Sequence, residues 1–63
     1  MNTYYIEVIL HSGTTSYSYD RQVRAKSMEV KSQGCYCFYG EDNKPVAYYP
    51  IANTIISSID YAE

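Results

Sequence analysis

The chain has 63 residues, a formal net charge of −2, and an aromatic content made up of nine tyrosines and one phenylalanine. A chain of this length forms a single domain, 1–63, with a thin core, because it buries only about 60% of the surface that its unfolded form exposes. The slight negative charge excludes a broad attraction to nucleic acid or to an anionic membrane, and no apolar run reaches the roughly 20 residues that span a bilayer.

The first twenty residues predict two strands joined by a turn. The alternation in residues 3–10 places one apolar set on a single face: Tyr4, Ile6, Val8 and Leu10. Gly13 suits a turn that requires a positive φ angle, and the alternation of serine with tyrosine in 16–19 is typical of a half-exposed strand. The N-terminus has neither the basic start nor the cleavage site of a secretory signal, so we expect a cytoplasmic protein.

Residues 21–32 fit two interpretations. Their composition favours a helix, which Asp20 would cap, and that alternative gives an α+β meander. The apolar positions, however, do not collect on one helical stripe: Val23, Ala25, Met28 and Val30. They alternate if one extra residue intervenes near Ser27, as at a bulge or bend. We therefore expect a long bent strand.

The second half of the chain predicts a hairpin and a last strand. Residues 35–39 and 46–49 flank a polar turn, and Pro45 suits a strand edge. A tight turn after Pro50 precedes the last strand, 54–60. The expected fold is all-β: a small five-stranded antiparallel barrel, SH3-like or Sm-like, with a single 3-10 turn before the last strand.

A sequence pattern over residues 25–59, a little over half of the chain, resembles a class of short bacteriophage and prophage proteins with a single small barrel. Their pattern is an alanine, a valine five residues later, a glycine, a Phe-Tyr strand and a V-A-x-Y-P ending that leads to two isoleucines. The matching residues are Ala25, Val30, Gly34, Phe38, Tyr39, Val46, Ala47, Tyr49, Pro50, Ile56 and Ile59. The resemblance implies the barrel and a phage origin; it does not imply an activity, because a fold does not determine function.

Catalytic and metal-binding patterns are not found in the sequence. His11 stands alone at a predicted turn, whereas catalysis needs a nucleophile or base with an orienting partner. Cys35 and Cys37 would lie roughly 6–7 Å apart on one side of a strand, farther than the Cβ separation of about 4 Å that a disulfide requires. We expect no enzyme activity, no metal and no cofactor.

A basic segment makes nucleic acid the alternative ligand. Aromatic and basic residues that are close in sequence form the candidate contact set: Tyr17, Tyr19, Arg24 and Lys26. Asp20 and Glu29 lie in the same segment and oppose this interpretation, as does the net charge. A solvated outer strand face is the simpler explanation.

The hairpin of residues 35–49 is apolar on both faces, although a small barrel has only one core to fill. We expect the second face to be buried against another chain, in the first instance a copy of the protein itself. A two-fold dimer is the commonest arrangement, and an unpaired edge such as the last strand can join subunits. The expected interface residues are Cys35, Cys37, Tyr39, Ala47, Tyr49 and Ile56.

These observations favour a non-enzymatic binding protein. The preferred hypothesis is a phage-encoded protein that binds a host protein, in the bacterial cytoplasm, and inhibits or modulates a bacterial defence system. The alternatives are a nucleic-acid or nucleotide-binding small barrel and a structural component of a larger particle. None of these involves a membrane.

Overall fold

The computed structural model describes residues 1–61, which form an all-β fold of six strands and one 3-10 turn. The strands are β1 (Asn2–Ser12), β2 (Thr15–Ala25), β3 (Ser27–Lys31), β4 (Cys35–Tyr39), β5 (Pro45–Pro50) and β6 (Thr54–Asp60). They make two three-stranded sheets, in the orders β2-β1-β6 and β3-β4-β5. All neighbouring strands are antiparallel.

The first two strands form a long hairpin that extends beyond the rest of the first sheet. All eleven residues of β1 pair with β2, from Asn2 opposite Ala25 to Ser12 opposite Thr15. Gly13, at φ 62°, supplies the left-handed backbone of the turn. The pairing of β1 with β6 ends where Val8 meets Thr54. Residues 9–18, which we call the arm, therefore project as a two-stranded ribbon.

Lys26 alone separates β2 from β3, and the chain bends there to pass from one sheet to the other. Its backbone N–H donates to the Tyr39 carbonyl at 2.8 Å, which attaches the bend to β4. The alternative of a helix over 21–32 is therefore wrong, and the expected bent strand is found, one residue before Ser27. The expected five-stranded closed barrel is wrong as well, because the bend divides one strand into two. Over residues 1–61 the two sheets do not join into a barrel.

The core lies between the inner faces of the two sheets. The expected alternation of β1 is confirmed, since Tyr4, Ile6 and Val8 are each at most 4% exposed. Partners from β2 and β4 complete the buried cluster: Val23, Ala25 and Phe38. Flanking residues from every strand except β2 pack against it, including Leu10 at the base of the arm.

The expected 3-10 turn is found at Ile51–Asn53, after Pro50 has closed β5. The Ile51 N–H donates to the Gly34 carbonyl at 3.0 Å, and this bond links the turn between β3 and β4 to the start of the 3-10 turn. The Thr54 N–H bonds to the Ile51 carbonyl and returns the chain to extended backbone. Within residues 1–61 no helix has the length and apolar character needed to cross a membrane.

Candidate interaction surface

The outer face of the second sheet gathers aromatic, thiol and charged side chains from three strands. Side chains alternate along a strand, and directly opposed residues share a face. Cys37 lies opposite Glu29 on one side and Tyr48 on the other, and Cys35 lies opposite Lys31. We call this surface the aromatic face; it comprises Glu29, Lys31, Cys35, Cys37, Tyr39 and Tyr48.

Three residues of the aromatic face form a connected polar network. The Lys31 Nζ lies 3.0 Å from the Glu29 Oε2 and 5.3 Å from the centroid of the Tyr39 ring, at the distance of a cation–π contact. The Tyr39 hydroxyl donates to the same Glu29 oxygen at 3.3 Å. The network therefore holds the Tyr39 ring in place and neutralises the two charges locally.

The pKa values of the network follow from these contacts. The hydrogen bond from Lys31, and then its charge, lower the pKa of Glu29 below its ordinary value of 4.5. Tyr39 and then Glu29 raise the pKa of Lys31 above its ordinary value. Both residues stay ionised through the neutral range, so the aromatic face carries no net charge.

Cys37 is the centre of the aromatic face and has no exposed surface. Hydrogen bonding with the Cys37 thiol is the chief cause that raises the pKa of the Tyr39 hydroxyl, and the same holds for Tyr48. Tyr39 thus approaches the thiol from two residues along the same strand, and Tyr48 approaches it from the adjacent strand β5. Cys37 and the half-buried Cys35 are both free thiols.

Tyr48 is the most exposed aromatic residue of this surface. It is 60% exposed, and Val46 on the same strand is 55% exposed. The rest of the aromatic face is only half exposed or buried, apart from Glu29. A large aromatic side chain thus stands on a sheet surface whose neighbouring charges are already paired.

The expected interface residues divide between the two sides of the sheets. Cys35, Cys37 and Tyr39 lie on the aromatic face. Ala47, Tyr49 and Ile56 pack against the core instead, and the Tyr49 ring meets Phe38 edge-on at 6.1 Å between centroids. The expected grouping of Tyr39 with Tyr49 on one face therefore does not occur.

A β-bulge explains this difference. Tyr39 lies opposite Pro45, but Phe38 lies opposite Ala47, so Val46 is an extra residue in β5. A regular ladder would place Ala47 beside Cys37 on the outer face. A one-residue shift moves every later side chain of the strand to the other face. This is why Tyr48 was not predicted on the outer face, and the five-residue turn from Gly40 to Lys44 gave no signal of the bulge. Glu29 and Lys31 lie on β3 and were missed because no motif indicated that they oppose Cys37 and Cys35.

The candidate nucleic-acid contacts are not brought together on one surface. Tyr17 and Tyr19 lie on the face of β2 that continues the core side, and the Arg21 guanidinium lies 4.8 Å from the Tyr19 ring centroid. Arg24 lies on the opposite face of β2, since it pairs with Thr3 rather than with the core residue Tyr4. Lys26 occupies the bend. The four predicted residues therefore do not form a continuous strip.

Comparison with known proteins adds no relative: no family model, no curated protein and no solved structure matches the chain. The resemblance to short phage proteins therefore stays a prediction. Among the residues that the structure describes, no group of three or more His, Cys, Asp or Glu side chains is placed to hold a metal ion.

Proposed function

We propose that the protein is a binding module that docks on another protein through the aromatic face. The observation that carries this proposal is the position of Tyr48, 60% exposed beside a tyrosine that is held by an ion pair. Tyrosine is enriched at the centres of protein interfaces because its ring provides contact area while its hydroxyl tolerates water.

The electrostatics of the aromatic face support docking on protein. Burial of an unpaired charge in an interface is costly, but Lys31 and Glu29 already pair with each other at 3.0 Å. Their contacts with Tyr39 also restrict its rotamers before binding, which lowers the entropy cost of association. A partner would thus meet a surface that needs little rearrangement.

The more specific form of the proposal is a phage-encoded inhibitor of a bacterial defence protein, acting in the host cytoplasm. The resemblance over residues 25–59 supports it, and the aromatic face supplies a surface for such a partner. The partner would be a soluble host protein that presents an apolar pocket for Tyr48 and polar groups for the tyrosine hydroxyls.

A pulldown with matched variants tests the proposal. The tagged protein is incubated with bacterial lysates, and the same capture is repeated with Tyr48→Thr and with Tyr17→Thr. Tyr17 is a suitable control, because it is also a strand tyrosine, 53% exposed, on a different surface. We expect a stoichiometric partner whose affinity falls roughly 30-fold with Tyr48→Thr, the effect of losing one interface hot spot, and is unchanged with Tyr17→Thr. Capture of no stoichiometric partner, or equal loss with both variants, would contradict the proposal.

A further inference from the structure

The edge of β6 differs from the other sheet edges of residues 1–61. Four strands lie at edges: β2 and β6 in the first sheet, β3 and β5 in the second. Proteins protect exposed edges with charged residues or proline. Such residues are Asp20, Arg21 and Arg24 on β2, Glu29 and Lys31 on β3, and Pro45 and Pro50 on β5. The run 54–59 of β6 carries neither a charge nor a proline.

The bulge in β6 changes which of its residues share a face. Tyr5 lies opposite Ser58 and Ile6 opposite Ile56, so Ser57 is an extra residue. Its hydroxyl donates to the Tyr5 carbonyl at 3.0 Å, which fixes the bulge. In a regular strand, residues five positions apart point to opposite faces. Here Thr54 and Ile59 both point inward, opposite Val8 and Tyr4.

This shift makes the strand compatible with a second copy of itself. In a two-fold antiparallel pair centred between Ile56 and Ser57, Thr54 lies opposite Ile59 of the second copy, and Ile55 opposite Ser58. In each pair, the two side chains lie on the same face of the sheet. In each pair, the backbone N–H and C=O groups of both residues also point the same way, either toward β1 or away from it. Ser57 of each strand lies opposite Ile56 of the other, so the two bulges meet at the two-fold axis and the six positions pair one to one. Asp60 lies beyond the six paired positions.

We propose that β6 pairs with β6 of a second copy and joins two first sheets into one six-stranded sheet. The pairing satisfies the free edge of β6 and brings no like charges together. It also covers apolar side chains at the edge, since Ile55 is 49% exposed and Ile56 and Ile59 are each partly exposed. The aromatic face lies on the other sheet, so this inference stands or falls independently of the proposed function.

Sedimentation velocity across the micromolar concentration range tests the pairing. We expect a dimer for the natural chain and a monomer for Ile55→Lys, because the variant places a charge at the pairing edge. Val46→Lys is the matched control: Val46 is 55% exposed on the edge strand β5, and its variant should stay dimeric. A monomeric natural chain, or a dimer that Val46→Lys disrupts and Ile55→Lys does not, would overturn the proposal. If circular dichroism shows that Ile55→Lys is unfolded, Ser58→Lys is used in its place.

Disulfide cross-linking tests the register itself. Two variants are prepared in a Cys35→Ser background, one with Ile55→Cys and the other with Ser58→Cys. Mixed under oxidation, they should give a covalent dimer, because these positions are opposite each other. Each variant alone should give no covalent dimer. The same position in the two copies lies farther apart than the roughly 7 Å that a disulfide tolerates between Cα atoms. Equal cross-linking in all three samples would show a different register and overturn this one.

Discussion

Tyr4 and Phe38 meet at the centre of the protein with their ring centroids 5.0 Å apart and their planes at 67°. The two rings come from β1 and β4, the central strands of the two sheets. Edge-to-face contacts of this kind add roughly 0.5–1.5 kcal/mol to the stabilisation from burial. The ring pair therefore joins the two sheets at the middle of the buried cluster.

Substitution of Phe38 should therefore reduce the free energy of unfolding strongly. Phe38→Ala would cost about 3–5 kcal/mol, comparable to the roughly 3–9 kcal/mol expected for a domain of this length, and should leave the protein unfolded. Phe38→Leu keeps most of the volume and should cost about 1–2 kcal/mol. Urea denaturation followed by circular dichroism measures both, with Tyr48→Leu on the outer face as the control. A Phe38→Leu variant as stable as the control would show that the ring pair contributes little.

Gly34 is the second position where a single substitution should be informative. Its φ angle of 84° lies in the left-handed region, and its carbonyl accepts from Ile51. A Cβ at this position would have no heavy atom within 4 Å, so Gly34→Ala tests backbone strain without a clash. We expect it to lower the free energy of unfolding by about 1–2 kcal/mol, and Gly34→Asn to lower it less. Gln33→Ala, at the adjacent exposed position, should have no measurable effect.

The sequence was sufficient to predict an all-β fold, with five strands where six are found, but not the register that decides which side chains are exposed. The alternation of β1 predicted its buried side, and the apolar spacing of 21–32 predicted a bend. Each of these two patterns lies within a single segment and can be recognised without knowing which strand pairs with it. The side on which Tyr48 and Tyr49 lie depends on Val46 as an extra residue between two strands. No local pattern reports such a bulge, because Val46 has the same β-propensity in either register.

Barrel closure was not predictable for a related reason. The expected closed barrel required the two sheets to share a continuous ladder, yet the strands pair as two separate sheets, and the pairing of β1 with β6 ends at Val8 and Thr54. Where a strand ceases to pair depends on contacts that are distant in sequence. The hairpin residues beyond that point therefore project as the arm.

The pKa of Glu29 gives a prediction for pH. Because its folded value is lowered, the ion pair stabilises the protein fully above the ordinary value of 4.5, and this stabilisation is lost as the pH falls through the folded pKa. Lys31→Gln should raise the carboxyl titration midpoint of Glu29 toward 4.5, and Tyr39→Phe should raise it less, since Lys31 is the main cause. Carbon-detected NMR titration measures the midpoints. Equal shifts in the two variants would contradict the order of causes. The effect on the melting temperature should be small, because the pair is exposed.

The arm should open more readily than the rest of the first sheet. Residues 11–18 are exposed without exception, and a two-stranded ribbon with no third strand is marginally stable in water. Hydrogen-bonded amides of residues 10–17 should therefore exchange with solvent faster than those of Tyr4–Val8, which have strands on both sides. Hydrogen exchange measured by NMR gives the comparison within one sample, and a concentration series separates local opening from protection by a second copy. Arm amides as protected as those of Tyr4–Val8 at every concentration would contradict the prediction.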